Sequence, residues 1–243
     1  MILAMNLETV MEVAKTRGNR LAHDTGYAGW RGKVQCAIGA CLLLLASLPA
    51  PAMANGASAT APRTVLVVGD SLSAAYGFSA AQGWVALTAD RIAARKPGWR
   101  VVNASISGET TAGGAARIGH ALKTHKPAVV VIELGANDGL RGLSLVQTRT
   151  NLERMITASR AAGAEVLLVG MRMPPNLGRD YTQGFERNYS DLAEQHRTAF
   201  LPFLLEPIVT DRSAFQSDNL HPVAAVQPRL RDHVWTALAP LLD

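Results

Sequence analysis

Apolar and polar positions alternate in blocks along this chain. Val65-Leu66-Val67-Val68 is a short β-branched run closed by Gly69, which predicts a first strand at Thr64–Gly69 buried on both faces. Trp84, Val85, Leu87 and Ile92, with Arg91 and Arg95 facing outward, predict a helix over 84–95 that Lys96-Pro97-Gly98 ends. The pattern repeats. Strands are predicted at Trp99–Ala104, Ala128–Leu134 (AVVVIEL), Glu165–Gly170 (EVLLVG) and Ala199–Leu205, and Pro202 marks the last as an edge. Helices are predicted at Thr110–His125, Leu145–Ala162, Tyr181–Thr198 and Val223–Leu241, the last kinked or started late by Pro228. Gly135–Gly142 and Pro174–Gly178 read as loops. Five strands alternating with helices predict an α/β fold, a parallel sheet with helices on both faces.

The first 54 residues break this pattern. Arg31 and Lys33 precede an apolar run, Cys36–Leu48, and Ala52-Met53-Ala54 puts small residues where a signal peptidase reads. That is the layout of a secretory leader cleaved near Ala54, although a long polar segment precedes Arg31. An uncleaved anchor is a second reading, but the run is shorter than the ~20 residues a spanning helix needs. Ile38-Gly39-Ala40-Cys41 is a third, as a lipoprotein box, but its apolar core follows the cysteine. Residues 55–63 read as a flexible lead-in and 64–243 as one domain. The expected destination is secretion or the periplasm, with no membrane span after cleavage.

Composition sharpens this picture at two points. Both cysteines, Cys36 and Cys41, lie in the leader, so the cleaved chain has no disulfide, thiolate nucleophile or cysteine metal site. The formal charge of +5 falls to +3 after cleavage, because the leader carries five Lys/Arg and three Asp/Glu. The remaining arginines are scattered, which speaks against a nucleic-acid partner. His120, His125, His196 and His233 show no metal-ligand spacing, and there is no P-loop.

In a parallel sheet the loops after the strands share one edge, and ligands bind there. The first of these loops carries Gly69-Asp70-Ser71, the second Ser105-Ile106-Ser107-Gly108, and the third Gly135-Ala136-Asn137-Asp138. Asp218-Asn219-Leu220-His221-Pro222 comes before the last helix. Ser71 reads either as a helix N-cap or as a nucleophile at a strand-to-helix turn. His221 could serve it as base, and Asp218 could orient the imidazole. Gly108 and Asn137 could donate N–H groups to an oxyanion, with the Ser71 backbone N–H as a third donor near a helix N-terminus. Each residue alone also has an ordinary turn, cap or surface reading. Met171, Met173 and Pro174 follow the fourth strand, where they line an apolar groove or pack in the core. Glu133 ends a buried strand and calls for an arginine partner.

Taken together, Gly69-Asp70-Ser71-Leu72, Gly108, Gly135-Ala136-Asn137-Asp138 and Asp218-x-x-His221-Pro222 resemble the four blocks of the SGNH, or GDSL, hydrolases. The match covers about Thr64 to Leu242. GDSLSAAYG, VVNASISGETT and ELGANDGLRG are similar to the secreted thioesterase I/lysophospholipase/arylesterase group. The resemblance implies a flavodoxin-like three-layer sandwich with strand order 2-1-3-4-5. It also implies a Ser71, Asp218, His221 triad and a Ser71, Gly108, Asn137 oxyanion hole. The loop containing Leu140 and Leu143 would line an acyl pocket or serve as a surface connector. The activity implied is cofactor-free and metal-free hydrolysis of acyl esters, thioesters and lysophospholipids by a monomer. A carbohydrate O-deacetylase and a non-catalytic lipid-binding module are the alternatives.

Overall fold

β1 (Arg63–Gly69) is an interior strand of a five-stranded parallel sheet, and its residues 64–69 are buried. The computed structural model describes residues 61–243. The expected leader, and the lead-in up to residue 60, lie outside the described residues. The strands are β1, β2 (Trp99–Asn103), β3 (Val129–Glu133), β4 (Glu165–Val169) and β5 (Ala199–Leu201). Their order is β2-β1-β3-β4-β5, as the sequence resemblance implied. β1 pairs Val65 with Val101 on one side and with Val129 on the other. Every residue of β3 is buried, which is why its sequence is a continuous apolar run rather than an alternating one.

Helices cover both faces. α1 (Trp84–Arg95) packs against α6 (Gln227–Leu238). α2 (Thr111–His125), α4 (Leu145–Ala161) and α5 (Arg179–His196) pack side by side as a second layer. Trp84, Ile92, Leu152, Met155, Ile156 and Phe185 are almost wholly buried where these helices meet the sheet. Burying a side chain of this size stabilises by roughly 1.5–3 kcal/mol relative to leaving it in water.

Several boundaries differ from the sequence reading. The loop expected at 135–142 contains a short helix, α3 (Ala136–Leu140). Gly and Asp are poor helix formers, so tertiary bonds to Asp138 hold it. The fifth strand stops at Leu201 instead of Leu205, because Pro202 has no N–H for a ladder. The closing helix starts late, at Gln227, with Pro228 in its first turn, where a missing N–H costs nothing. No helix follows Ser71 directly. Residues 71–77 form successive turns, with Ala74 N–H bonding the Asp70 carbonyl at 2.9 Å, and α1 begins only at Trp84.

The order 2-1-3-4-5 makes a switch point at the carboxyl ends of β1 and β3, where the connections leave in opposite directions. The loops that carry Ser71 and Asn137 diverge there.

Candidate active site

Ser71 is two residues past the end of β1, and its Oγ is 2.8 Å from His221 Nε2. His221 Nδ1 in turn lies 2.7 Å from Asp218 Oδ2. With the carboxylate accepting from Nδ1–H, Nε2 is left bare to accept from the serine hydroxyl. The three residues thus form one hydrogen-bonded chain from carboxylate to imidazole to hydroxyl.

The Asp-x-x-His spacing has a local cause. Asp218 Oδ1 accepts the backbone N–H of Leu220 at 2.9 Å and of His221 at 3.0 Å. This turn folds the chain back so that Oδ2 meets the imidazole of the same loop. Asn219, between them, takes the left-handed conformation at φ 57°, which asparagine tolerates. The N–H groups of His221, its ring and the Leu220 N–H hold the Asp218 carboxyl down to about 2. It therefore stays ionised through the range in which esters are assayed.

A second loop locks this one to the serine. Gln216 Nε2 donates to the Tyr76 carbonyl at 2.9 Å and to the Pro222 carbonyl at 3.1 Å. The Tyr76 ring lies 4.4 Å from the His221 ring, centroid to centroid. Gly77 has φ +85°, and a Cβ there would come within 2.4 Å of Gln216 Oε1. At that φ any side chain is strained, and its Cβ would displace the Gln216 amide. Tyr76 and Gln216 were missed in the sequence. Tyr76 lies inside GDSLSAAYG, but nothing in the pattern links it to residue 216.

The backbone N–H groups of Ser71 and Gly108 have no protein acceptor among the described residues. Gly108 sits at φ +80°, in the loop after β2. The Asn137 amide, expected as a free donor, is instead engaged. Its Nδ2 donates to the Glu109 carbonyl at 3.0 Å and to Asp70 Oδ2 at 3.2 Å. Glu109 is itself clamped by a two-pronged ion pair with Arg117 of α2. Asp138 anchors the same region from below, accepting the Thr111 N–H at 2.8 Å and its hydroxyl at 2.5 Å. The buried Asp138 carboxyl therefore binds the start of α2 to α3 and fixes the Gly108 loop relative to Asn137.

Two buried acids lie behind the serine. Asp70 Oδ1 accepts the Leu72 N–H at 3.0 Å. Burial pushes its carboxyl up to about 6, against the pull of that N–H, of His221 and of the Asn137 amide. Among the described residues no arginine pairs with Glu133, contrary to the sequence expectation. Its Oε2 accepts the Ser73 hydroxyl at 2.6 Å. Burial above all, and then the neighbouring Asp70, pushes the Glu133 carboxyl well above the usual range.

The sign for Asp70 is set by these values. Between its ordinary value of 3.8 and about 6 the folded state binds a proton that the unfolded chain has released. The Asp70 contribution to stability is therefore present at low pH and is lost as pH rises through about 4 to 6. Asp70→Asn removes this loss, and its denaturant midpoint is expected to fall less than that of the parent from pH 4 to 7. Its turnover falls about 10-fold, because an amide in place of Oδ2 meets Asn137 Nδ2 donor to donor. Urea unfolding at pH 4, 5, 6 and 7, beside ester hydrolysis at pH 8, checks both.

Ser71, Asn137 and His221 line a cleft of about 650 Å³. Leu140, Met173 and Pro174 also line it, together with Met171, Phe203 and Leu205. Met173 is 7% exposed, so it belongs to the core and forms a cleft wall at once. Leu143 is not brought into the cleft. It is exposed beside it, and its carbonyl accepts the Tyr181 hydroxyl at 2.9 Å. His196 contacts Glu153 and His233 contacts the Phe203 carbonyl, and neither histidine lines the cleft. Among the described residues, no group of His, Cys, Asp or Glu is arranged to hold a metal ion.

A hydroxyl with a base in place, beside N–H donors at the mouth of an apolar cleft, is equipment for acyl transfer. The comparisons agree with that class. Residues 67–227 match the GDSL-like lipase/acylhydrolase family. The chain belongs to this family and is a hydrolase of ester bonds. It is 52% identical over 182 residues to the esterase TesA of Pseudomonas aeruginosa, covering 75% of this chain and 90% of that one. It is 41% identical over 185 residues to thioesterase 1/protease 1/lysophospholipase L1 of Escherichia coli K12, covering 76% and 88%. A crystal structure of TesA superimposes with a TM-score of 0.72 at 51% identity, covering 74% of this chain and 99% of that one.

Proposed function

We propose that this chain is an exported serine hydrolase that cleaves acyl esters and thioesters through a Ser71, His221, Asp218 triad. The observation that carries the reading is the unbroken chain of two hydrogen bonds, 2.8 and 2.7 Å, from Ser71 Oγ to the Asp218 carboxylate.

In this mechanism Ser71 Oγ attacks the acyl carbonyl as His221 Nε2 takes its proton. Asp218 holds the ring and stabilises the imidazolium. The carbonyl oxygen gathers negative charge and is received by the Ser71 and Gly108 N–H groups. The Asn137 amide joins them by sharing the N–H that reaches Asp70, the longer of its two contacts. His221 then hands its proton to the departing alkoxide or thiolate, leaving an acyl-serine. A water deprotonated by His221 clears it by the same route.

Cleft chemistry favours substrates with a hydrocarbon acyl chain. Its lining is dominated by apolar side chains, and methionines adapt to chains of different shape. The rim supports lysophospholipids among them. Tyr76, Ile106, Leu140, Leu143, Val146, Val209 and Leu220 are the exposed large hydrophobics among the described residues, and all lie in or beside loops at the carboxyl edge of the sheet. Apolar surface gathered on one face marks an interaction site. The catalytic domain spans 64–243 in this reading, and residues 1–54 act as a cleaved leader. Among the described residues no helix is long and apolar enough to cross a membrane.

The test is expression from Met1 in a bacterial host with assay of the exported fraction. Protein with an N-terminus near Asn55 that hydrolyses both p-nitrophenyl acyl esters and acyl thioesters is expected. Activity confined to acetylated glycans would move the chain to the deacetylases instead.

A further inference from the structure

Glu133 is a wholly buried acid with no cation in contact and no part in the mechanism above. The β1–β3 register sets it beside Gly69, at the point where β1 ends and the serine turn begins. A Cβ on Gly69 would lie 2.8 Å from Glu133 Oε2 and 2.7 Å from Ser73 Oγ. The contact between Glu133 and Ser73 is thus pressed against the backbone that leads into Ser71. Ser73 is itself only 1% exposed, and its carbonyl accepts Asn103 Nδ2 at 2.8 Å. The Asp70 N–H is a second donor toward the Glu133 carboxyl. The residues on both sides of Ser71 are therefore tied, through one side chain, to the most buried strand of the sheet.

We infer that Glu133 is a positioning residue for the nucleophile, holding the 70–73 turn through Ser73 Oγ and the Asp70 backbone. The inference rests on the reading of Ser71 as nucleophile. Turns with no helix of their own have few internal restraints, and residues 71–77 are such a turn. A fixed anchor from β3 sets where Oγ stands relative to His221. The anchor works as a neutral carboxyl. An ionised one, buried without a cation and next to Asp70, would lose its hydration with only neutral donors in its place.

Substitution separates positioning from mere support of the fold. Glu133→Ala and Ser73→Ala are each expected to lower kcat about 10-fold or more with KM within about 2-fold, since a displaced reacting group costs rate rather than binding. The double variant loses no more than the worse single one, because both act through one contact. Glu133→Gln, neutral and of the same shape, stays within about 3-fold of the parent. Rates are normalised to sites titrated with a fluorophosphonate, so unfolded protein does not count as slow protein. Wild-type kcat in Ser73→Ala, or losses that multiply in the double variant, overturns the positioning role. Glu133→Gln as impaired as Glu133→Ala overturns the neutral carboxyl. If Ser71→Ala is inactive while Glu133→Ala and Ser73→Ala are normal, this inference alone has failed. If Ser71→Ala is active, the reading beneath it has failed first.

Discussion

Ser71→Ala is expected to lower kcat for p-nitrophenyl butyrate by at least about 10⁴-fold, with little change in melting temperature. The magnitude follows from what is lost. Without Oγ no acyl-serine forms, and the N–H donors alone leave only a residual rate over water. Four decades correspond to about 5.5 kcal/mol of transition-state stabilisation. Stability is spared because the hydroxyl is partly exposed in a turn and its one side-chain partner is His221. A loss below tenfold would show that another group does the chemistry.

His221→Ala is expected to fall about as far, and Asp218→Asn about 10³–10⁴-fold. The asparagine case is informative because the local turn survives. Its Oδ1 still accepts the Leu220 and His221 N–H groups. Its amide nitrogen, however, faces His221 Nδ1 and donates to it. The ring then carries its proton on Nε2 and has no lone pair for the serine hydroxyl. Steady-state kinetics of both variants, with circular dichroism to establish that they are folded, check this. Because the Asp218 carboxyl is held down to about 2, the parent should show no loss from its protonation between pH 5 and 9. Turnover of Asp218→Asn within tenfold of the parent would remove the carboxylate from the mechanism.

Much of this site was legible in the sequence because its parts are local. A β-branched run followed by Gly-Asp-Ser marks a buried strand and the loop at its carboxyl end. Asp-x-x-His closes on itself through two backbone N–H groups, so the spacing alone brings carboxylate and imidazole together. Sheet order and the meeting of Ser71 with His221 were accessible only through the resemblance of four separated blocks. What stayed hidden is set by tertiary contact. Glu133 called for an arginine, because a buried carboxylate needs a cation; burial beside Asp70 instead pushes its carboxyl well above the usual range. Asn137 read as a free donor, yet Asp70 and the Glu109 carbonyl occupy it. α3 has weak helical propensity and exists because Asp138 bonds Thr111 and because Gly139 leaves room for Met173. Leu143 lies just past α3, which ends at Leu140, and only Leu140 lines the cleft.

Asp70, Glu133 and Asp218 differ in burial. Asp218 is ionised and exposed enough to follow the histidine through its protonation. Asp70 and Glu133 are desolvated, and their cost to stability is accepted at the place where the serine and the Asn137 amide must be held. A group that destabilises the fold while aligning a reacting atom is what functional sites carry elsewhere.

Covalent capture reports whether Ser71 Oγ is the atom that bonds to the acyl group. Treating the purified protein with a fluorophosphonate and mapping the adduct by peptide mass spectrometry should give one phosphonylated residue, Ser71, and no adduct in His221→Ala over the same time. An adduct on any other side chain, or rapid ester turnover by protein whose Ser71 is fully blocked, would take the nucleophile's role from Ser71.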